Sequence, residues 1–517
     1  DVTQFPQDLI ADYYLAVAPV GFKALYGALA AVGIEPRVAA LGIPLLIALV
    51  ATVYLYGVTL QIVPVPLAAL CSTLVFNQNI WLKDDLISAA PRAFVYGLFA
   101  AFLYYLLRRS PLPCLVLIAL QGVLYPQMAL VAIALLTVRL FSWQGRSLRW
   151  STDRRDYWVW LAAIAIGGVC LLGFSRAVSE QWGATISAAQ MQQMPEFGPG
   201  GRRQYFGVNP FLFWFAGASG LRLPLFPPII VVGLGLPWLL RSPLPLARAV
   251  TANVQLLGQL AMAAMGMFGL AHLIFPVLYL PSRYSFYSLR FVMAIATGLV
   301  LAIALDAVWR WWQVRRRSGR SPRLRHWAVM ASVTLLAIAV VVVPAVPAIF
   351  LPCQGWVIGT EPAVYRFLDE QPSTVRVASL SEAANTIPAF AQRSVVAGSE
   401  FALPYHLSFY RQMQQRIVDL AKAQYSPDRA DLQAAIATYG VDFWLLDRDF
   451  LQPNYLSQQP WLLHSTMRAD VEQAIARSSI TNPPAIAQDL ERCAAITTER
   501  LILLNADCLA DSVESTP

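Results

Sequence analysis

Residues 327–352 read WAVMASVTLLAIAVVVVPAVPAIFLP, without one charged side chain, and beyond Cys353 no comparable run returns. A helix that crosses a bilayer needs about 20 mainly apolar residues, so this is the last of a series. Nine more such stretches precede it, at roughly 38–61, 64–82, 89–107, 111–124, 125–141, 157–175, 225–241, 251–280 and 289–312. The pair 111–124 and 125–141 is short enough to be read as one long tilted helix. The break at Tyr125-Pro126-Gln127 favours a tight re-entry instead, because proline removes a donor and restricts the residue before it. The expected fold class is a polytopic α-helical membrane protein of about ten spans (residues 1–352) with a C-terminal α/β soluble domain (353–517). Composition agrees: 57% of residues are hydrophobic and 13% charged, against about a quarter charged in a soluble domain, and mean hydropathy is +0.54. The chain opens on Asp1 in text that reads as mid-loop, so a further spanning helix is expected upstream.

Orientation follows from the basic loops. Arg310, Arg315, Arg316, Arg317, Arg320, Arg323 and Arg325 crowd one connection, Arg146, Arg149, Arg154 and Arg155 a second, and Arg108-Arg109 a third. With all three inside and 111–141 crossing twice, segments 1–37, 83–88, 176–224, 281–288 and the C-terminal domain fall outside. The net charge of +8 is then a topology signal, with anionic membrane lipids rather than nucleic acid as partners. Cys71, Cys114 and Cys170 lie in spans. Cys493 and Cys508 flank a strand on the outer side, where a disulfide persists, and pairing or not pairing are even readings. His272, His326, His406 and His464 show no metal-ligand spacing.

Chemistry is expected on the outer face. Asp8 and Asp12 precede an apolar-aromatic run over 13–29, broken by Pro19 and Gly21, that suits a helix lying in the interface. The plainer reading makes these acids solvated caps, with Asp8 starting a helix near Leu9. Asp84 and Asp85 sit side by side between two spans, as metal ligands or a base, or as partners of Lys83 and Arg92. At an exposed mouth, losing such a partner is worth less than about 1 kcal/mol. Loop 176–224 carries Arg202-Arg203 and then an aromatic stretch (Tyr205, Phe206, Phe211, Phe213, Trp214, Phe215) that suits a lid over a lipid-bound substrate. Arg283 and Arg290 stand among tyrosines on the outer face against the positive-inside tendency, so they either bind phosphate or snorkel to head groups. Asp306 is the one acid within the spans, with Arg310 a turn away. In the C-terminal domain, strands near 374–380, 393–397, 441–446 and 500–504 alternate with helices near 361–370, 407–424, 428–439 and 467–477. Asp442, Asp447 and Asp449 read as turn and cap residues.

Three texts carry a family resemblance: Phe5-Pro6-Gln7-Asp8-Leu9-Ile10-Ala11-Asp12-Tyr13-Tyr14, Lys83-Asp84-Asp85-Leu86 with Pro91-Arg92, and Tyr439-Gly440-Val441-Asp442-Phe443-Trp444-Leu445-Leu446-Asp447. With the span pattern they resemble the GT-C class of polytopic glycosyltransferases, which use polyprenyl-phosphate-linked sugars, and within it a group of bacterial membrane proteins. The resemblance implies transfer of a sugar to an extracytoplasmic acceptor at the bacterial cytoplasmic membrane. It implies a catalytic acid in the first external loop (upstream of Asp1, or Asp1, Asp8 or Asp12) and a base or divalent metal, Mg or Mn, at Asp84 and Asp85. Arg202, Arg203, Arg283 and Arg290 would hold the departing lipid phosphate, and all these groups are expected to converge on one cavity. Two other classes stand beside this one. A non-catalytic scaffold would bind partners through its exported domain. A transporter would place polar groups at mid-membrane or show internal repeats, and neither is visible.

Overall fold

The protein is described by a computed structural model covering residues 5–82, 84–144, 147–206, 209–215, 217–317, 324–342, 359–477 and 482–511. It folds into two compact units: Ala18–Arg176 with Ser219–Trp356, and Asp1–Val17 with Ala177–Ala218 and Val357–Pro517. A single boundary at 352–353 therefore does not describe the folding units, because an N-terminal helix and most of loop 176–224 join the C-terminal domain.

In the helical unit, prolines decide where helices begin. Pro36, Pro66, Pro111 and Pro126 each occupy a first helical position, where the missing N–H is no loss and the fixed φ is already helical. They also cut the apolar text into short pieces. Pro66–Trp81 has 16 residues, and Phe94–Leu107, Pro111–Leu124 and Pro126–Arg139 have 14 each. At 1.5 Å per residue these span about 21–24 Å, less than the hydrocarbon core of about 30 Å. Four helices are long and apolar enough to cross: Pro36–Ile62, Arg154–Trp182, Ala252–Leu273 and Ser282–Arg315. The expectation of about ten spans is thus not met at full length among the described residues. Membrane character is, and the break at Tyr125 is real, with backbone dihedrals (φ −154°, ψ 83°) that end one helix before the next starts. Positions 146, 320, 323 and 343–358, which include the end of the last expected span, lie outside the described residues.

The long helix Ser282–Arg317 is the most enclosed of the four. It packs on Pro66–Trp81 so closely that a Cβ at Gly298 would lie 2.4 Å from the Ser72 amide nitrogen. Thr297 beside it donates its hydroxyl to the Ile230 carbonyl at 2.7 Å and accepts the Gly233 amide at 3.1 Å. Small residues and hydroxyls at helix crossings are how membrane helices gain packing where apolar burial gives no drive. Arg310 and Asp306 form the expected pair one turn apart at 2.8 Å.

The other unit is built on a mixed five-stranded sheet in the order Ser394–Val395, Arg376–Ser379, Phe443–Asp447, Leu501–Asn505, Ala494–Thr497. The first three strands run parallel, and the last two are antiparallel additions. All four expected strands and all four expected helices are present. Gly440 ends the helix Arg429–Tyr439 in the left-handed conformation (φ +59°), which glycine adopts without a Cβ penalty. The Asp442 carboxylate accepts the Arg376 amide at 2.8 Å, and Asp447 accepts Ser381 and Tyr455, as turn residues do. Cys493 and Cys508 are joined in a disulfide around Leu501–Asn505.

The run 13–29 is broken at Pro19, as expected: Leu9–Val17 ends before it, and the helix expected in the run is Val20–Ala31, in the helical unit. Tyr13 is buried, stacks on Phe409 at 3.7 Å and shares a hydrogen bond with His406 Nδ1 at 3.0 Å. Residues 187–206 are held to the same domain by Glu196. Its buried carboxylate accepts the Tyr410 hydroxyl at 2.5 Å and the Thr466 amide and hydroxyl at 2.8 and 2.7 Å. Glu196→Ala leaves buried donors without an acceptor and is expected to destabilise this unit by about 3 kcal/mol. Thermal unfolding of the full chain with a proteolysis readout within 187–206 checks this; an unchanged midpoint and cleavage pattern would refute it.

Candidate functional site

Between Pro66–Trp81 and Phe94–Leu107 the chain makes one helical turn, Asp84–Ile87, and a 3-10 turn, Pro91–Ala93. Leu86, fully buried, pins the first turn. Ala89, in the left-handed region (φ +48°), reverses the chain before Pro91. This places Asp85 and Arg92 side by side. From the other direction, residues 282–288 are not a loop, because the long helix starts at Ser282. Arg283, Tyr287 and Arg290 then stand at i, i+4 and i+7, on one face.

These two elements meet at the Asp85 carboxylate, only 5% exposed. Its Oδ2 accepts Arg290 Nη2 at 2.9 Å. Its Oδ1 accepts the Tyr287 hydroxyl at 3.1 Å and lies 3.2 Å from Arg92 Nε and 3.9 Å from Arg283 Nη1. Arg290 is wholly enclosed, donates to the Tyr96 hydroxyl and sits 3.9 Å from the Phe286 ring centroid, a cation–π arrangement. Arg283 donates to the Tyr287 hydroxyl at 2.8 Å. Burial alone would raise the Asp85 pKa. Arg290, Arg92 and Arg283, in that order, outweigh it with help from the Tyr287 hydrogen bond, and hold the group below the ordinary carboxylate value.

One carboxylate against three guanidiniums leaves a net charge of +2. Arg222 lies near enough to feel both Arg283 and Asp85; burial first, and then the charge of Arg283, lower its pKa. Arg92 and Arg283 keep 28% and 23% of their side chains exposed, so they, unlike Arg290, can meet a ligand. The arrangement is that of an anion site whose cations are aimed by a buried acid. Asp85 itself is a poor proton acceptor here. The reading that pairs it with Arg92 holds, and the exposure expected at this mouth is corrected for Asp85, which is buried in an ion-pair cluster. Lys83 and the Asp84 side chain lie outside the described residues.

A divalent cation does not fit at Asp85. Both carboxylate oxygens are committed to donors, the surrounding charge is positive, and no group of three His, Cys, Asp or Glu side chains gathers to hold a metal among the described residues.

The remaining candidates belong to the other unit. Asp8 caps the helix Leu9–Val17, accepting the Ile10 and Ala11 amides at 2.7 and 2.9 Å, the plainer of its two readings. Asp12 is exposed on that helix. Arg202 pairs with Glu400 and donates to the Ser399 carbonyl at 2.7 Å. Arg203 is anchored by its amide to the Glu196 carbonyl. The residues that sequence reading left out are Tyr96, Phe286 and Arg222. Helical spacing from Arg283 through Phe286 and Tyr287 to Arg290 was the available signal for Phe286, and none marked Tyr96 or Arg222.

Asp85→Asn leaves Arg290 buried without a counter-charge, so a loss of about 3–5 kcal/mol is expected, far above the value for an exposed pair. Because the folded pKa is depressed, the ionised acid stabilises the fold above the unfolded carboxylate value of about 4. That contribution is withdrawn as pH falls from there through the lower folded value. Thermal unfolding in detergent from neutral to acid pH should therefore show a wide gap between wild type and Asp85→Asn that closes below about pH 4. A gap that is small or does not vary with pH would refute the assignment.

No protein-family model matches the sequence, and no curated protein matches it. Solved structures do. The archaeal oligosaccharyltransferase AglB from Archaeoglobus fulgidus, in complex with an inhibitory peptide and a dolichol-phosphate, superposes with a TM-score of 0.50 at 12% identity, covering 89% of this chain and 64% of that one. The Archaeoglobus fulgidus oligosaccharyltransferase tethered with an acceptor peptide containing the NVT sequon gives a TM-score of 0.51 at 13% identity, over 89% and 63%. The chain thus spans just under two thirds of the length of these neighbours. At such identities the likeness is one of fold: this chain is folded like the archaeal oligosaccharyltransferase.

Proposed function

We propose that this protein is a membrane glycosyltransferase that moves a sugar from a polyprenyl-phosphate-linked donor to an acceptor outside the cytoplasm. The observation that carries the reading is the cationic excess around Asp85, built at the ends of membrane helices in a GT-C-like fold. A lipid phosphate is the anion such a place meets, and AglB is known with a dolichol-phosphate.

In the proposed reaction an acceptor hydroxyl attacks the anomeric carbon. The new C–O bond forms as the bond to the lipid phosphate breaks, and the electron pair leaves on the phosphate oxygen. Arg92 and Arg283 stabilise that charge, guanidinium to phosphate. Asp85 positions them and is itself held by Arg290. The hydroxyl proton goes to a carboxylate, for which Asp84, neighbour of Asp85 on the same turn, is the candidate. None of these steps is assigned to a metal. In this reading the arginine-rich connections face the cytoplasm of a bacterium and the C-terminal domain lies outside. The Cys493–Cys508 disulfide supports the latter, since such bonds persist in oxidising compartments.

Arg283→Gln and Arg92→Gln are each expected to lower transfer by about 10²–10³-fold, as loss of one transition-state donor does, with thermal stability reduced far less than in Asp85→Asn. Asp84→Asn should abolish transfer in a folded protein. The measurement is sugar transfer from a polyprenyl-phosphate donor in detergent, beside the unfolding midpoint and with Arg468→Gln as a surface control. Wild-type rates in all three variants would overturn the proposal.

A further inference from the structure

The helical unit holds a second cationic place, away from Asp85. Helix Phe94–Leu107 has Tyr96 of the Asp85 cluster in its first turn and Leu106 in its last, about 15 Å apart along the axis. Around Leu106 a cavity of about 400 Å³ opens between the ends of several membrane helices, lined by Arg109, Arg139, Arg149 and Arg155 together with Asp153 and Asp156. Its volume lies within the range of about 300–1,000 Å³ usual for ligand sites.

Its charges are not balanced. Asp153 is used as a cap, accepting the Arg155 amide at 2.9 Å at the start of Arg154–Trp182, and Asp156 accepts the Ser151 hydroxyl at 2.6 Å. Arg139 donates to Gln259 Oε1 at 3.0 Å, a neutral partner. Among the described residues no ion pair joins Arg109, Arg149 or Arg155. Four arginines thus line the cavity against two acids, of which Asp156 acts on Arg139, and the lining keeps a positive excess. Beside them the lining holds Ser110, Ser151 and Thr152 and an apolar patch of Leu106, Leu136 and Val159, on helices that belong to the membrane unit. Trp150, also in the lining, is 61% exposed and rests on Phe141 with ring centroids 4.3 Å apart.

A topology signal needs only positive charge in a connection. It does not need four arginines lining one cavity that also carries an apolar patch. We propose that this cavity binds one anionic glycerophospholipid, its phosphodiester held by Arg109, Arg149 and Arg155 and its first methylenes lying against Leu106, Leu136 and Val159. Basic pockets between membrane helices select anionic head groups in this way. The apolar patch distinguishes a lipid from a free phosphate, which would gain nothing from it.

The test uses the full chain purified in detergent, exchanged against phosphatidylglycerol or phosphatidylcholine and read by native mass spectrometry. Wild type should retain one phosphatidylglycerol about tenfold more strongly than phosphatidylcholine. Arg109→Gln/Arg149→Gln/Arg155→Gln should lose that preference, while Arg315→Gln/Arg317→Gln, in the other basic stretch, keeps it. Val159→Phe, which alters the apolar patch and leaves the arginines, should also weaken retention and guards against misfolding of the triple variant. Wild-type retention in the triple variant, equal loss in the control, or displacement by inorganic phosphate at the concentration of the lipid would overturn the proposal. The readout is lipid retention, so it stands or falls separately from sugar transfer.

Discussion

A buried charge is tolerable only when it is answered, and in the helical unit one carboxylate answers three guanidiniums. Asp85 ties the turn Asp84–Ile87 to the 3-10 turn Pro91–Ala93 through Arg92, and both to the long helix through Arg283, Tyr287 and Arg290. Removing either side of such a cluster leaves an uncompensated ion in a low-dielectric place, worth several kcal/mol. Rigidity here is also chemistry. Arg290 is sealed behind aromatic rings and fixes Asp85, so Arg92 and Arg283 are aimed before a ligand arrives, which reduces the reorganisation that a developing negative charge would otherwise require.

Much of the fold was legible in the sequence because its signals are local. Apolar runs marked the helical unit, and a short unbroken apolar run marked Phe443–Asp447, buried on both faces. The number of full-length spans was not legible in the same way. Hydropathy reports what lipid or protein interior accepts, and the enclosed pieces around Ser282–Arg317 read just like lipid-facing ones. The prolines that shorten them were visible, but whether a proline kinks, starts or ends a helix depends on neighbours. Pro44 lies inside Pro36–Ile62 while Pro126 begins a new helix.

The site was half legible for a related reason. Asp85 was picked out because charges beside spans are costly unless paired, Arg283 and Arg290 because they break the positive-inside tendency, and the three pair with one another. The cluster forms across separations of about two hundred residues, which no local pattern encodes. Asp8 was chosen for its place before an apolar run and Arg202 and Arg203 as a phosphate-matching pair, yet Asp8 caps a helix and Arg202 binds Ser399 and Glu400 within the other unit. A polar residue near an apolar run signals that something must satisfy it, and a helix N-terminus or a carbonyl does so as well as a substrate.

The separation within the cluster bears on how the chain is made. Asp85 leaves the ribosome long before Arg290, its deepest partner, which is 205 residues further on. Arg92 follows after only seven. During that interval an acid beside newly inserted helices needs a counter-ion, and Arg92 is near enough to serve as a provisional one. In the finished molecule Arg290 holds Oδ2 and Arg92 stays beside Oδ1, partly exposed. The acid thus has a near partner in sequence and a distant one, and the near one is the more open to solvent.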